Sequence, residues 1–175
     1  MSDIAWLAGV IEGEGSYTLS SWQRSDGQAP KIGVSVKLYN TDAAIVRKAV
    51  EVLESHAITY HVGERDQKPM LKPGGEGHYF SQKSMLTLTV NKLASVEKLI
   101  TLLMPWTFGE KRHRLLLIRS YVERRVAKIA QAGGNYRGVP IDDEDRRTVT
   151  QFAALHRRKD ASTTGRETPQ GEGTV

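Results

Sequence analysis

Between Asp3 and Glu12 the chain carries no polar side chain: Ile4, Ala5, Trp6, Leu7, Ala8, Gly9, Val10 and Ile11 follow one another without a break. Ser2 or Asp3 offers an N-cap, and Gly13 and Gly15 stand beyond the far end, so the pattern predicts a short helix over 3–12. Ile4, Leu7 and Ile11 share one face by their spacing, Trp6 and Val10 share another, and Ala8 and Gly9 leave a strip of small residues between. Eight apolar residues fall far short of the roughly 20 that span a bilayer. A helix apolar all round must instead be buried all round, and in a small domain the core covers one side only. The other side is expected to meet a second subunit.

The rest of the composition bounds the setting. With 175 residues, 39% of them hydrophobic and 26% charged, the chain has room for one domain with a proper core plus an extension, and a fibrous or wholly disordered chain is excluded. There is no cysteine for disulfides, zinc thiolates or a thiol nucleophile, and the N-terminus lacks the marks of a secretory signal. A reducing, intracellular setting without a membrane is the expectation. The net charge of +5 is concentrated: residues 109–128 hold seven Lys/Arg against two Glu, while the segments on either side are balanced. Such a basic segment suggests a polyanion partner, although a solvated helix face reads equally well.

After the first helix, 16–22 and 31–40 read as two strands of a hairpin turning at 24–28. In the second, Ile32, Val34, Val36 and Leu38 alternate with Lys31, Gly33, Ser35, Lys37 and Tyr39, the period of a half-buried strand. Asn40-Thr41-Asp42 caps a helix to about Ser55, with Ile45, Ala49, Val52 and Leu53 at helical spacing. Segments 58–65 and 79–90 read as two more strands, joined by a polar, Pro- and Gly-rich connection over 66–78 that looks mobile. Helices follow over 93–103, stopped by Pro105, and from Glu110 to about Gln131. A fifth helix opens at Ile141. The expected organisation is an α+β core over 1–131 in αββαββα order with helices on one sheet face, a loop and helix over 132–160, and a disordered Gly/Thr/Glu-rich tail over 161–175.

Strict alternation leaves the second sheet face uncovered. It presents Thr18, Ser20, Trp22 and Arg24, then Lys31, Ser35, Lys37 and Tyr39, then Thr59, His61 and Arg65, then Tyr79, Ser81, Lys83, Met85 and Thr87. These are mostly hydrogen-bonding or basic groups, and none is acidic, whereas an ordinary wetted face mixes in Glu and Asp. Donors and cations on one sheet face suit the reading of base edges and phosphates in a groove.

The chemistry sits at the end of the first helix, in Leu7-Ala-Gly-Val-Ile-Glu-Gly-Glu-Gly15. This resembles the nonapeptide that names the LAGLIDADG homing endonucleases, with Val10, Glu12, Gly13 and Glu14 as departures. Trp6 before it, Ser16 after it and the downstream order of elements are also similar to that family, through about residue 125. A helix ending in Glu-Gly-Glu-Gly places carboxylates where the dipole disfavours anions, so another charge must offset them; a hard divalent cation is one solution.

The resemblance implies a saddle-shaped antiparallel sheet and a site-specific double-strand DNA endonuclease. One motif per chain implies a homodimer that packs two such helices through Trp6, Leu7, Ala8, Gly9, Ile11 and Glu12 and reads a long pseudo-palindromic site. Glu14 matches the metal-binding catalytic acid, more often Asp in the family, and its extra methylene moves the carboxylate outward. Gly13 matches a backbone ligand position and Glu12 a structural acid. Asn40 matches a residue that orders water, or simply caps the next helix; Lys111 matches a lysine near the scissile phosphate, with Glu110 to Arg112 ambiguous; Arg47 competes with Lys48 for a basic pocket position. The implied ion is Mg²⁺ or Mn²⁺, with Ca²⁺ supporting binding without cleavage. A maturase acting on intron RNA and a non-cleaving DNA-binding regulator are alternatives on the same scaffold. His56, His61, His78, His113 and His156 show no metal or triad spacing, and no Gly-rich loop follows a strand as a dinucleotide site requires.

Overall fold

A computed structural model of the chain describes residues 2–23, 30–65, 70–71, 78–79, 84–134 and 139–163; of these, 65, 70, 71, 78, 79 and 156–163 are described by backbone alone. The order is α1 (Asp3–Glu14), β1 (Gly15–Trp22), β2 (Lys31–Asn40), α2 (Ala43–Ser55), β3 (His61–Arg65), β4 (Met70–Leu71), β5 (His78–Tyr79), β6 (Met85–Val90), α3 (Leu93–Leu103), a 3-10 turn (Met104–Trp106), α4 (Gly109–Gln131) and α5 (Asp143–Thr163). This is the α+β order αββαββα with an added C-terminal helix, the class that the sequence predicts.

Local chemistry accounts for the element ends. Ser2 Oγ accepts from the Ala5 N–H at 3.2 Å and starts α1. Asp42 Oδ1 accepts from the Ala44 N–H at 2.8 Å and starts α2. Asp142 and Asp145 form a reciprocal capping box: Asp142 Oδ1 accepts the Asp145 N–H at 2.9 Å, and Asp145 Oδ2 accepts the Asp142 N–H at 3.5 Å. That box fixes the start of α5 at Asp143, two residues later than the expected opening at Ile141.

The main sheet is four-stranded and antiparallel, in the order β1-β2-β6-β3. One face carries Tyr17, Leu19, Ile32, Val34, Val36, Leu38, Leu88 and Val90, all buried. α1, α2 and α3 cover that face; α4 lies on α3 and β1, and α5 lies on α4 and β1. Phe152 of α5 is part of the same core, so residues beyond 131 contribute to it. No described helix is long and apolar enough to cross a membrane.

Four expectations need adjustment. α1 continues two residues past Glu12 and hands over to β1 without a loop. A Cβ at Gly15 would lie 2.6 Å from the Ile11 carbonyl oxygen, so only glycine fits this junction. The expected strand over 58–65 begins at His61, because Ala57 turns at φ 50° and the Thr59 N–H is donated to Ser95 Oγ of α3 at 3.1 Å rather than to a sheet neighbour. The expected strand over 79–90 is divided: Met85–Val90 joins the main sheet, whereas His78–Tyr79 pairs with Met70–Leu71 in a separate two-stranded sheet, so the polar connection over 66–78 itself holds strand. α5 extends through Thr163, into the expected tail, and 164–175 lie outside the described residues.

Candidate nucleic-acid interface and carboxylate turn

Glu14 ends α1 with an exposed side chain that makes no hydrogen bond or ion pair to the described residues. Glu12, one turn face away, is half-buried, and its Oε2 is buried without a hydrogen-bond partner. From 96 to 100 residues downstream, Lys111 reaches across: its Nζ donates to the carbonyl of Glu12, to that of Ile11 at 3.2 Å and to that of Gly15 at 3.4 Å. An ammonium on the last carbonyls of a helix offsets the negative end of its dipole. The cation that relieves the acidic helix end is therefore, in the first place, Lys111 itself, and α4 is tied to α1 by its first turn.

Beside this turn lies a rigid apolar floor. Tyr17 and Thr107 are fully buried, and Thr107 Oγ1 donates to the Leu103 carbonyl at 3.0 Å. Burial pushes the Tyr17 hydroxyl up to about 12, the neighbouring Thr107 side chain pulls the other way and the charge of Glu12 adds to the rise; the hydroxyl itself is buried without a hydrogen-bond partner among the described residues. Asn40 is occupied in a turn, its Oδ1 accepting the Asp42 N–H at 2.8 Å. Its register puts it on the helix-covered side of β2 with Val36 and Leu38, and the structure gives it the local role at the start of α2. Lys48 is paired with Asp3 at 3.0 Å, which leaves Arg47 the exposed one of the two, on a helix that covers the other sheet face.

The hard-oxygen donors at this turn, a partner-free carboxylate on Glu14 and an orphaned carboxylate oxygen on Glu12, suit Mg²⁺, Mn²⁺ or Ca²⁺ by type. Among the described residues no group of three or more His, Asp or Glu could hold a metal within one chain. The donor set fits such an ion only as part of a shell completed from outside the chain.

Within β1, β2, β3 and β6 the open face of the sheet follows the alternation. Registers place Ser16, Lys37, Thr89 and His61 in one row across all four strands, with Tyr39, Thr87 and Gly63 in the next and Met85 beside Arg65 in a third. In the other direction Thr18 faces Ser35, Ser20 faces Gly33 and Trp22 faces Lys31. Among the described residues this face holds no acid. Ser16 and Thr89 belong to it by register and are missing from the set that the sequence suggests; continuing the alternation one step at each strand end finds them. Lys31 and His61 are exposed, and Lys37 and Tyr39 are half-buried. The Trp22 ring lies on Gly33, where a Cβ would come within 2.6 Å of it.

Some expected members of the face are placed otherwise. Ser35 is only 8% exposed, so its hydroxyl is nearly closed off. Thr59 precedes β3, and Tyr79 belongs to the small sheet. The side chains of Arg65 and Tyr79 are not described, and Arg24, Ser81 and Lys83 lie outside the described residues. Where β2 runs past the end of β6, an open notch of about 1060 Å³ separates residues 32–35 from Leu93 and from Tyr121, Val126 and Ile129 of α4.

The basic segment is not open in the same way. Arg112 Nη1 donates to the carbonyls of Met104 at 2.9 Å and Thr107 at 3.3 Å. Arg114 pairs with Glu110, and Arg119 with Glu123 at 2.6 Å. Arg124, Arg125 and Lys128 converge on Asp142, Glu144 and Asp145 of the α5 terminus, with Arg125 and Asp145 both buried. All seven cations of 109–128 thus have partners within the chain, and of the two readings of this segment the pairing favours the helix face over the polyanion site.

The outer side of α1 is likewise redrawn. Leu7, Ala8 and Ile11 are 1–3% exposed in the chain's own core, so they offer no surface to a partner. What α1 shows outward is Trp6, Gly9, Val10 and Gly13, with Glu12 half-buried at the edge. A Cβ at Gly9 or Gly13 would meet nothing within 4 Å. Neither glycine is required inside the chain, and each costs about 0.5–1 kcal/mol relative to Ala in a helix.

No family model matches the chain, and no curated protein matches it. Solved structures do. The homing endonuclease I-CvuI in complex with its target superposes with a TM-score of 0.56 at 16% identity, covering 98% of this chain and 85% of that one. An archaeal intron-encoded homing endonuclease, I-Vdi141I, complexed with DNA gives 0.55 at 16% identity, covering 97% and 88%. The I-SmaMI LAGLIDADG homing endonuclease bound to cleaved DNA gives 0.56 at 9% identity, with all of this chain matching 53% of that one.

Proposed function

From the premise that this chain has the LAGLIDADG homing-endonuclease fold, we propose that it is a site-specific DNA endonuclease that works as a homodimer and hydrolyses one phosphodiester on each strand of a pseudo-palindromic duplex. The observation that carries this reading is an exposed Glu14, without a partner among the described residues, at the end of an outward-facing α1 and beside a sheet face whose described members are donors and cations without acids. Two α1 helices meeting along Gly9 and Gly13 bring the two Glu14 carboxylates together at the dimer axis and complete the oxygen shell that one chain only begins.

Glu14 from each copy and a backbone carbonyl, Gly13 by position, would hold the divalent ion. Such an ion, when bound, stabilises charge on the phosphorane and lowers the pKa of the attacking water. Lys111 acts here through position: it fixes the carbonyls of the last turn, so the Glu14 backbone is held still, and its charge offsets the negative charge gathering there. Lys31, Lys37 and His61, with the hydroxyls of Ser16, Thr18, Thr87 and Thr89, take phosphates and base edges in the flanking major grooves. Asn40 has a spare amide but a committed carbonyl, and is a turn residue in this account.

The test is cleavage of a selection-derived duplex site with Mg²⁺, wild type beside Glu14→Gln. The expected result is loss of double-strand cleavage by at least 100-fold with site binding retained in Ca²⁺. A variant that cuts as fast as wild type overturns the assignment of Glu14. Binding of an intron RNA with no duplex cleavage by wild type would move the reading to a maturase.

A further inference from the structure

Among the described residues three large aromatics are uncovered: Trp22, 49% exposed at the end of β1 on the open sheet face, and Trp106 and Phe108, which sit together in one short loop away from it. Phe108 is 68% exposed and Trp106 46%, on either side of Thr107, which is fully buried. The loop is not slack. Arg112 clamps the carbonyls at both ends of the turn, Met104 and Thr107, and the Thr107 hydroxyl is held by Leu103. The turn packs against α1, and Lys111, three residues after Phe108, is bonded to the last carbonyls of α1. Aromatics fixed on a clamped loop lose little freedom when they are covered, which favours a docking role over an accident of exposure.

We propose that this loop is the second half of the dimer interface, with Trp106 and Phe108 of each copy covered by the other copy; the inference rests on the α1 pairing given above. Area selects this occupant. The outward face of a 12-residue helix is about 18 Å long and about 10 Å wide, which gives on the order of 300 Å² of contact per copy, counting relief. A specific interface needs roughly 1,000 Å² in total, so α1 alone falls well short. The exposed parts of Trp106 and Phe108 add on the order of 250 Å² per copy and bring the total past that threshold. The loop rests on α1, the element that this pairing puts at the axis. α1 supplies the close approach through glycine, and the loop supplies the area.

The experiment uses the full chain and compares dimer dissociation by sedimentation for wild type, Phe108→Ser, Trp106→Ser, the double variant and Gly13→Val, with circular dichroism to confirm folding. The expected result is a folded double variant whose dimer Kd rises at least 30-fold, each single variant by at least 5-fold, and Gly13→Val by at least as much. If Gly13→Val dissociates while the double variant keeps the wild-type Kd, the loop proposal is overturned and the α1 pairing stands. If wild type is a monomer at tens of micromolar, both fall. Should the loop variants dimerise normally but bind duplex DNA more weakly, the aromatics serve as wedges against the nucleic acid and the proposal is overturned in that direction. If the double variant is unfolded, the single Phe108→Ser variant decides, because that side chain contributes least to the core.

Discussion

The cations of α4 and those of the open sheet face are alike in type and opposite in situation. On α4, seven Lys and Arg side chains all find partners inside the chain, three of them at one acidic helix terminus. On the sheet, Lys31 and Lys37 make no hydrogen bond or ion pair to the described residues, and among those residues no acid shares their face. A linear charge count points to the first region, whereas the geometry makes the second available to a polyanion. Formal charge reports where cations lie along the chain; only pairing tells which of them still has something to give up to phosphate.

The largest effect expected from this contrast is on stability. Arg125 and Asp145 are buried against one another, Arg125 also donating to the Pro140 and Val139 carbonyls at 2.7 and 3.1 Å. Removing one member of a buried pair leaves an uncompensated charge and costs about 3–5 kcal/mol. Asp145→Asn is expected near the lower end of that range, since Arg125 keeps its carbonyls, and should leave the salt dependence of DNA binding unchanged. Urea unfolding and a salt titration of DNA affinity measure the two halves of this prediction. A stable variant with weakened DNA binding would break the contrast.

Next comes binding. Lys37 stands in the row nearest the carboxylate turn, opposite Ser16 and Thr89. A cation withdrawn from a phosphate lowers the slope of log K against log salt by about 1. Lys37→Met is therefore expected to reduce the slope by that amount with unchanged stability, while Arg119→Met on α4, which gives up only its surface pair with Glu123, leaves the slope where it was. Equal effects from the two variants would show that the faces do not differ as their pairing implies.

How much of this is legible in the sequence follows from the range of the interactions. The alternation of Ile32, Val34, Val36 and Leu38 sets the limits of β2 and its two faces, because a strand's period is a local property. The motif at Leu7–Gly15 and the pairs Glu110 with Arg114 and Arg119 with Glu123 are also local, the last two at helical spacing. Lys111 on the carbonyls of α1 is not local, nor is the convergence of Arg124, Arg125 and Lys128 on Asp145; nothing in the intervening residues encodes which cation meets which acid. The same holds for Leu7 and Ile11. A helix apolar all round does not say which side faces its own core, and the structure turns inward the very residues that the motif would give to a partner. The separation of Tyr79 from β6 escapes the pattern because alternation continues across 79–90 whether or not the same neighbour pairs with both ends.

The smallest effect tests whether the α4–α5 seam weakens toward its rim. Asp142 lies at the edge, 47% exposed, bonded to Lys128 and capping α5. The hydrogen bond from Lys128, reinforced by the Asp145 backbone N–H, lowers its pKa to about 2. A carboxyl depressed on folding contributes stability that is present above its ordinary pKa and lost as the pH falls through the folded value. The contribution is thus intact at about pH 5 and gone below about pH 2, and solvent screening at so exposed a site keeps it to a fraction of a kcal/mol. Asp142→Asn, which keeps a capping oxygen and leaves Lys128 beside Asp145, should flatten the fall in urea midpoint between about pH 4 and about pH 2 by that small amount while leaving stability at neutral pH nearly unchanged. A loss at neutral pH as large as that of Asp145→Asn would mean that the rim is as essential as the buried centre, and that burial does not grade this seam.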